Sequence, residues 1–556
     1  MKKTGTITVD CKGIGKRKYK KGIVVKDIVE KCKEKIPYPT IIVSVDNKLN
    51  DLDYRLIKDC HIDFLHLGTP DGRFCYQRSI SFVLAKAIEE LYPKAKLYIK
   101  HSLSKGFYCE LEFSPPQNIK FFHIETIKKR MQEIIDANLP FIRNEVYISD
   151  AIKLFEEKER FDKSRILKYR TDKRVSIYNC GKTKNHFYGF LVPSTGYLKH
   201  FDLILYPPGF IMLFPDLSKP NTLPPFVEQL KMFQVFKEYS DWGNILGVRT
   251  AADLNEIIDS GHISDFIKMA EALHEKKIAM MADEIKNRLL KPRLILISGP
   301  SSSGKTTFSK RLTIQLKVNG ENPVIVNLDD YFVERQFTPK DEFGNFDFEC
   351  FKAIDYKLFN QHLFDLLNGK EITLPKYSFM TGMRIVGNKL RINDDQIIII
   401  EGIHGLNRQL SEQFPEVMKY KIYVSALTMI NLDNHNRIPT TDTRIIRRIV
   451  RDNFFRGYTA LDTIRSWQRV RSGEDKFIFP YQERADIMFN SVLVYELAVL
   501  KQYAMPLLKK ITPKYPEYIE ARRLIKFLSY FREISTEELP PTSILREFIG
   551  GSSFSY

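Results

Sequence analysis

One eight-residue stretch restricts the fold of this chain more than any other feature of its sequence. Residues 299–306 read Gly-Pro-Ser-Ser-Ser-Gly-Lys-Thr and fit the pattern G-x-x-x-x-G-K-[ST]. A buried-strand pattern precedes them at residues 294–298, and a helical pattern follows at residues 307–316. A glycine-rich turn between a strand and a helix N-terminus directs backbone N–H groups at a bound phosphate. The stretch therefore predicts an α/β unit with a phosphate site; a glycine-rich turn without a ligand is the alternative.

The residues around this stretch have the pattern of a parallel sheet. Short, nearly continuous apolar segments alternate with helical segments, at residues 294–298, 324–327, 397–400, 421–424 and 487–490. Such segments are typical of strands that are buried on both faces by helices. We therefore expect a helix-covered parallel sheet over residues 294–500, followed by a helical extension over residues 501–556.

The glycine-rich stretch is predicted to hold a nucleotide. Lys305 would reach the β- and γ-phosphates, and the Thr306 hydroxyl would ligate Mg²⁺. We expect the Lys305 ammonium to face solvent until a nucleotide arrives. The residues assigned to nucleotide binding are Gly299, Pro300, Ser301, Ser302, Ser303, Gly304, Lys305, Thr306 and Thr307.

Three carboxylates are placed by the predicted strands. Glu401 directly follows the strand at residues 397–400, and the C-terminal tip of a parallel strand faces the ligand crevice. We expect it to hold Mg²⁺ together with Thr306. Asp329 and Asp330 follow the strand at residues 324–327, and either could take the proton of an acceptor hydroxyl. A solvated strand end and a polar turn are the respective alternatives.

Five arginines fall within thirteen residues: Arg444, Arg447, Arg448, Arg451 and Arg456. Arg444, Arg448 and Arg451 share one face of a helix, because they are spaced by four and three residues. Guanidinium groups suit the charge that spreads over transferring phosphoryl oxygens. The cluster indicates a mobile helix that closes over a nucleotide; a solvated basic face and an RNA-contacting helix remain as alternatives.

These residues together resemble the uridine kinase and phosphoribulokinase family of P-loop kinases. The matching segments are residues 299–306, Asp329-Asp330-Tyr331-Phe332, Asn345-Phe346-Asp347, Tyr377-Ser378-Phe379, Glu401-Gly402-Ile403 and Arg447-Arg448-Ile449-Val450-Arg451-Asp452. The resemblance implies transfer of the γ-phosphate of ATP, with Mg²⁺, to a sugar hydroxyl. It implies that Asp329 is the base and that Lys305, Arg448 and Arg451 are further catalytic residues. It also implies that Arg456 is a nucleotide-binding residue of the lid.

The acceptor side of the resemblance is less regular. Asp347 would bind ribose, Tyr377 would flank a base, and Arg384 would bind the substrate. Uridine kinases carry a histidine that reads the pyrimidine, and Gly382 stands at that place here. The Arg-Gly-Arg of the family's lid becomes Arg-Gly-Tyr at residues 456–458. ATP-dependent transfer is therefore expected, without a secure assignment of uridine as the acceptor.

The N-terminal half divides into three predicted parts. Residues 1–68 read as strand, strand, helix and strand, which favours a small β-grasp domain whose basic segment 12–21 forms a hairpin tip. Residues 69–241 read as an α+β domain with helices near residues 79–91 and 124–138. Residues 242–293 read as a helical connector that Pro292 ends, since proline cannot continue a helix.

This half resembles the front of threonyl-tRNA synthetases. Residues 1–68 are similar to the TGS domain, and residues 79–202 are similar to the editing domain, notably at residues 83–87, 106–108 and 192–196. The editing domain uses two pairs of polar ligands. The positions that match them here are Arg78, Phe82, Phe187 and Leu191. Phenylalanine and leucine neither bind metal nor activate water, so the region is expected to have lost its chemistry.

The composition limits the classes of partner and the cellular compartment that the sequence suggests. The chain of 556 residues has 86 Lys and Arg against 68 Asp and Glu, a net charge of +18. Such a balance fits nucleic acid, nucleotides or phosphometabolites, and equally a solvated basic surface. Seven cysteines without CxxC spacing are typical of a reduced, cytoplasmic protein. No apolar run is long enough to span a bilayer.

The combined hypothesis is an ATP- and Mg²⁺-dependent kinase that phosphorylates a small-molecule hydroxyl, here the 5′-hydroxyl of a ribonucleoside. Its N-terminal half is expected to bind RNA or a nucleotide, or to form homo-oligomeric contacts. An RNA-associated regulatory ATPase and a kinase of another hydroxylated metabolite are the alternatives. Retention of Asp329, Asp347 and Tyr377 favours the kinase, because a regulatory switch needs no acceptor pocket.

Overall fold

The computed structural model describes residues 5–342 and 344–555. The first unit is a five-stranded mixed sheet with one helix packed on it. Its elements are β1 (Thr6–Cys11), β2 (Gly15–Lys20), α1 (Val25–Cys32), β3 (Ile42–Val45), β4 (Lys48–Asn50) and β5 (Cys60–Leu65). The sheet order is β2-β1-β5-β3-β4, and β1 runs parallel to β5. Ile7 and Val9 of β1 pack against Ile28 of α1 in a small core, which gives the predicted β-grasp arrangement.

The basic segment of this unit differs from its prediction. Residues 15–20 form the edge strand β2, and only residues 12–14 form the turn between β1 and β2. The interpretation of residues 12–21 as a hairpin tip is therefore wrong. Tyr19 packs in the core, and residues 15–20 pair with β1 as a strand. Lys16, Lys18 and Lys20 alternate with it and are exposed.

The second unit is α+β, with two antiparallel sheets around a long buried helix. Its elements are α2 (Pro70–Leu91), β6 (Lys96–Leu103), β7 (Gly106–Glu112), α3 (Phe121–Asp136), β8 (Ile142–Tyr147), α4 (Ile148–Glu157), α5 (Phe161–Leu167), β9 (Arg174–Cys180), β10 (Thr183–His186), β11 (Asp202–Tyr206) and β12 (Gly209–Leu213). The sheet orders are β10-β9-β8 and β11-β12-β7-β6. α2 begins well before residue 79, because the Thr69 hydroxyl accepts from the amide of Gly72 and Pro70 suits a first turn.

Three connector helices join this unit to the C-terminal half: α6 (Leu230–Ile245), α7 (Ala251–Asp259) and α8 (Ile263–Asn287). α6 runs through the boundary expected at residue 241, and its Tyr239 hydroxyl donates to the carbonyl of Asn490 at 3.0 Å. α8 ends at Asn287, so Pro292 does not end it as expected.

The C-terminal half contains the predicted parallel sheet. Its elements are β13 (Leu294–Ser298), α9 (Lys305–Val318), β14 (Pro323–Asn327), α10 (Tyr356–Leu367), β15 (Ile372–Ser378), β16 (Met383–Leu390), β17 (Ile397–Glu401), α11 (Arg408–Ser411), β18 (Lys419–Ser425), α12 (Thr440–Phe455), α13 (Ala460–Phe477), β19 (Ile487–Asn490), α14 (Glu496–Lys509), α15 (Tyr518–Leu528) and α16 (Arg546–Ile549). The order β14-β17-β13-β18-β19 is parallel throughout. β15 and β16 form a separate antiparallel hairpin.

The C-terminal helices belong to the core of this unit. Leu524 of α15 and Phe548 of α16 are fully buried in the same cluster as Ile295 and Ile297 of the central strand β13. α14 begins at Glu496, inside the range expected for the kinase-like part. The predicted helical extension over residues 501–556 therefore packs, through α15 and α16, on the same core as the parallel sheet.

The N-terminal and C-terminal halves share a polar interface. The amide of Ile99 in β6 donates to the carbonyl of Asn434 at 2.8 Å, in the loop between β18 and α12. Lys163 of α5 forms a fully buried ion pair with Asp433 of the same loop at 3.0 Å. Across the described ranges, none of the helices combines the length and apolar character needed to cross a membrane.

Candidate functional site

The glycine-rich stretch, called the P-loop below, connects β13 to α9 and turns tightly. Gly299 admits no side chain, because a Cβ there would lie 1.9 Å from the carbonyl oxygen of Val424. Ser302 and Gly304 adopt positive φ angles of 59° and 82°. These turns bring the loop back to the N-terminus of α9, whose first residue is Lys305. Backbone N–H groups at such a helix start favour an anion.

Lys305 is buried inside the loop. Its side chain is 8% exposed, and its Nζ lies 3.4 Å from the Pro300 carbonyl and 3.9 Å from Glu401 Oε1. The expectation of a solvent-facing ammonium is therefore wrong. The loop wraps around its own lysine, and the Glu401 carboxylate attracts the charge.

Glu401 and Thr306 meet as expected for a cation site. The Thr306 hydroxyl donates to Glu401 Oε2 at 3.3 Å. Burial raises the pKa of Glu401 to about 7, although the nearby Lys305 opposes the shift. Hydroxyl and carboxylate oxygens suit Mg²⁺, which commonly takes its remaining ligands from water and substrate phosphates. The described residues contain no cluster of three or more His, Cys, Asp or Glu side chains that could bind a metal by themselves.

The two aspartates that follow β14 have different surroundings. Asp330 accepts from the amide of Tyr377 at 3.4 Å, and burial raises its pKa. Asp329 instead lies among the charges of the P-loop side, where it acts on Glu401 and Arg456. Asp330 therefore anchors the β15–β16 hairpin, and Asp329 is the aspartate near the phosphate site.

Three arginines of the predicted lid converge on Asp452. Arg448, Arg451 and Arg456 pair with this carboxylate at 3.2, 2.7 and 3.8 Å. Burial favours the neutral acid, but the three guanidinium groups hold the pKa of Asp452 below its usual range. Arg448 also donates to the Ser301 hydroxyl at 2.7 Å, which ties the group to the P-loop.

Arg444 and Arg447 have a structural role, whereas the sequence grouped them with the predicted lid arginines. Arg444 is 1% exposed, donates to the Ser301 carbonyl at 3.0 Å and pairs with Glu474. Arg447 is fully buried and pairs with Glu496 at 2.6 Å. Both also donate to P-loop carbonyls, those of Ser301 and Ser302. They are buried in ion pairs, whereas Arg448, Arg451 and Arg456 are partly exposed.

The acceptor-side residues gather around an aromatic cluster at the β15–β16 hairpin. The ring of Tyr377 lies 5.6 Å from that of Phe332 and 5.1 Å from that of Phe379. The Arg456 guanidinium lies 5.0 Å from the centre of the Phe379 ring, so this cluster adjoins the arginine group. Asp347 lies in the loop before α10, where its Oδ1 accepts from the amide of Glu349 at 3.1 Å.

Arg384 is held by intramolecular contacts. Its guanidinium pairs with Asp355 at 3.2 Å and donates to the Phe332 carbonyl at 3.2 Å. These contacts fasten β16 to the segment between β14 and α10. They give Arg384 a structural task beside the aromatic cluster.

Sequence reasoning missed two residues of this region. Burial raises the pKa of Glu349 to about 7, against the attraction of Arg448, and its Oε2 is shielded without a hydrogen-bond partner. Arg335 occupies the space beside Gly382, where a Cβ would lie 2.7 Å from Arg335 Nε. It also donates to the Phe379 carbonyl at 2.6 Å. Neither residue has a local sequence signal, because both reach the site through loops.

The four positions matched to editing ligands form a packed cluster. Phe82, Phe187 and Leu191 are all buried, and the first two rings lie 5.8 Å apart. Arg78 donates through Nε to the carbonyl of Phe190 at 3.0 Å, and its guanidinium fills the space beside Gly189. Apolar side chains thus occupy three of the four matched positions, and a backbone carbonyl holds Arg78 at the fourth.

Comparison with known proteins agrees with this division of the chain. Residues 294–498 match the family model described as phosphoribulokinase / uridine kinase family. The threonine–tRNA ligase of Symbiobacterium thermophilum is 31% identical over 189 residues, which are 34% of this chain and 29% of the ligase. That of Clostridium kluyveri is 32% identical over 201 residues, 36% of this chain and 31% of the ligase. The chain thus spans about three-tenths of the length of these curated relatives.

Two solved kinase structures are similar to part of the chain. A structure described as a possible uridine kinase from Bacillus stearothermophilus is 22% identical, with a TM-score of 0.28, and covers 39% of this chain and 98% of its own. The D-glycerate 3-kinase of Cryptococcus neoformans is 14% identical, with a TM-score of 0.20, over 48% of this chain and 87% of its own. Residues 294–498 therefore match the phosphoribulokinase and uridine kinase family, and the N-terminal region matches threonine–tRNA ligases.

Proposed function

We propose that the chain is an ATP- and Mg²⁺-dependent kinase that phosphorylates the 5′-hydroxyl of a ribonucleoside. The observation that carries this proposal is that Arg456 connects the arginine group near the P-loop with the aromatic cluster. Arg456 pairs with Asp452 on one side and lies over Phe379 on the other. An acceptor held by the cluster would therefore present its hydroxyl to a nucleotide in the P-loop.

Different residues serve different parts of the phosphoryl transfer. Lys305 and the amides of the P-loop bind the phosphates, and Arg448, Arg451 and Arg456 balance the charge on the moving phosphoryl group. Asp329 accepts the hydroxyl proton as the new O–P bond forms and the bond to ADP breaks. Mg²⁺, held through Thr306 and Glu401, would neutralise charge on the β- and γ-phosphates. Its charge would also favour the ionised form of Glu401, which burial alone disfavours.

The acceptor assignment rests on Asp347 and Tyr377. A carboxylate can accept from both hydroxyls of a ribose cis-diol, and a tyrosine ring can stack on a planar base. The Arg335 guanidinium lies near Tyr377 and fills the space beside Gly382, which has no side chain. We therefore expect a base preference that differs from that of dedicated uridine kinases.

A panel of nucleosides tests the acceptor. Uridine, cytidine, adenosine, guanosine, inosine and their 2′-deoxy forms are assayed with ATP and Mg²⁺. We expect ribonucleoside 5′-monophosphates as products and slower reaction of the deoxy forms, which leave Asp347 partly unpaired. Phosphorylation of a non-nucleoside alcohol alone would contradict the acceptor claim and leave the kinase claim in place.

An RNA-associated regulatory ATPase is the second candidate. The exposed lysines of β2 and the net charge of +18 favour it. Adding RNA to the same assay discriminates between the two, because ATP hydrolysis that RNA stimulates, without any phosphorylated nucleoside, would support the regulatory function. RNA affinity is measured at several salt concentrations, since phosphate contacts weaken steeply as salt rises.

A further inference from the structure

The C-terminal segment, residues 536–550, lies over the start of the P-loop helix. Glu547 of α16 accepts hydrogen bonds through Oε2 from the amide of Thr307 at 3.0 Å and from its hydroxyl at 2.8 Å. Thr307 is the third residue of α9 and follows Lys305 and Thr306. The Glu547 carboxylate thus accepts hydrogen bonds at the N-terminus of α9, which is where a P-loop favours the binding of an anion.

The segment is held in place by apolar contacts. Ile544, Leu545 and Phe548 are fully buried. Ile544 Cγ2 would lie 2.9 Å from a Cβ on Gly304, so its side chain packs directly on the P-loop backbone. The Phe548 ring lies 5.0 Å from the guanidinium of Arg447.

The Arg546 side chain links the two ends of the C-terminal segment. Arg546 donates through Nη2 to the carbonyls of Thr536 and Leu539, at 2.9 and 2.8 Å. Glu547 is therefore presented to Thr307 by an ordered piece of chain, and its position does not depend on a long flexible tail.

A carboxylate and a phosphate oxygen compete for the same donors. Both are anions that accept from N–H and O–H groups, and two anions at hydrogen-bond distance from Thr307 would repel each other. We propose that the C-terminal segment is an autoinhibitory element, in which the Glu547 carboxylate stands in for a nucleotide phosphate at Thr307. The inference rests on the proposed function, since it concerns the nucleotide site of the same P-loop.

The consequence is an equilibrium between closed and open forms of the site. A nucleotide binds only when Glu547 has left Thr307, so its apparent affinity falls by the fraction of molecules that are open. The apolar anchors can stay in the core while the Glu547 side chain rotates away. Release of the carboxylate is then the step that a nucleotide, or another anion, must drive.

Nucleotide affinity of the full chain tests the proposal. Calorimetric titrations with ATP, ADP and adenosine are run on the wild type, Glu547→Gln, Glu547→Ala and the control Glu537→Gln. Glu537 carries the same charge in the same segment and is exposed. We expect ATP and ADP to bind Glu547→Ala at least about tenfold more tightly, with a smaller gain for Glu547→Gln, because a charged hydrogen bond to the competitor is lost. Glu537→Gln should match the wild type, and adenosine should bind all four proteins equally.

The outcomes separate this proposal from the proposed function. ATP binding that stays equal or weakens in both Glu547 variants, with thermal unfolding like the wild type, overturns autoinhibition and leaves the kinase proposal in place. An equal gain for adenosine overturns competition for the phosphate position. Absence of ATP binding in all four proteins overturns both proposals.

Discussion

Lys305 and Glu401 share a buried charged pocket at the head of α9. The distance of 3.9 Å between Nζ and Oε1 lets each ion moderate the cost of burying the other. Burial still raises the pKa of Glu401 to about 7. A phosphate that attracts Lys305 and a cation that attracts Glu401 would both find their partners already in place.

Replacement of Lys305 tests the phosphate site. We expect Lys305→Ala to lower the rate of phosphoryl transfer at least about 100-fold, because a charge aimed at transition-state oxygens is lost. Turnover with ATP and the best acceptor is the measurement. Lys317→Ala, an exposed lysine on the same helix, serves as the control and should keep wild-type turnover. Near-normal turnover in Lys305→Ala would contradict the assignment.

The two aspartates after β14 allow a matched comparison. We expect Asp329→Asn to slow transfer strongly while ATP affinity stays close to the wild type, since the amide cannot accept the hydroxyl proton. Asp330→Asn should act mainly on stability, because Asp330 accepts from the amide of Tyr377. Turnover, ATP affinity and thermal unfolding are measured for both. Faster transfer in Asp329→Asn than in Asp330→Asn would reverse the assignment of the base.

Helix α12 shows how one element serves two purposes. Its arginines share one face of the helix, but Arg444 and Arg447 are buried in ion pairs whereas Arg448 and Arg451 are partly exposed. Arg447 is fully buried against Glu496, whereas the Arg448 side chain is 15% exposed and reaches the Ser301 hydroxyl. The helix therefore supports the P-loop from within and offers charge to a nucleotide from outside.

Substitutions of a buried and of a partly exposed arginine of α12 should have opposite signatures. Arg447→Leu leaves Glu496 buried without its partner, and we expect the free energy of unfolding to fall by about 3–5 kcal/mol. Arg448→Ala leaves Asp452 paired with Arg451 and Arg456, so we expect a smaller loss of that free energy than in Arg447→Leu. It should slow transfer, because a stabilising charge near the phosphates is lost. Denaturant unfolding and turnover separate the effects. Equal destabilisation by both substitutions would show that α12 has a single structural role.

At the scale of the whole molecule, buried polar groups join the two halves. His186 of β10 holds the carbonyl of Ser176 at 2.9 Å and the hydroxyl of Tyr530 in the C-terminal half at 3.1 Å. Burial, with Lys163, Lys526 and Arg170 nearby, holds the pKa of His186 well below its usual range. His435 in the loop before α12 is shifted the same way by burial, with Arg160 and Lys163 nearby. The halves are therefore joined through neutral histidines.

This junction predicts acid sensitivity. A histidine that stays neutral when folded binds its proton only in the unfolded chain, so stability is lost as pH falls below about 6.5. Each such residue removes at most about 1.4 kcal/mol per pH unit in that range. Denaturant unfolding between pH 7.5 and 5.5 is the measurement, and His186→Gln should show a smaller loss over this range than the wild type. An unchanged pH dependence in His186→Gln would exclude this residue as a source of the effect.

Much of the fold follows from local patterns. Each parallel strand is a short apolar run, and the P-loop carries its own glycines, lysine and threonine in eight consecutive residues, so the sequence predicted both. Boundaries were less accurate where a cap or a distant packing partner decides them. Thr69 starts α2 earlier than expected, and α6 crosses the domain boundary expected at residue 241. The β1–β2 hairpin was misread for the same reason, since burial of Tyr19 extends the strand.

The sequence by itself therefore determined the P-loop, the parallel sheet and the β-grasp unit, because each depends on residues that are adjacent or periodically spaced. The tertiary structure alone decided the burial of Lys305, the division of the α12 arginines, the place of Arg335 beside Gly382 and the contact of Glu547 with Thr307. These contacts join residues that lie far apart along the chain. Their physical basis is the packing of loops and of the C-terminal segment against the sheet, which no local pattern encodes.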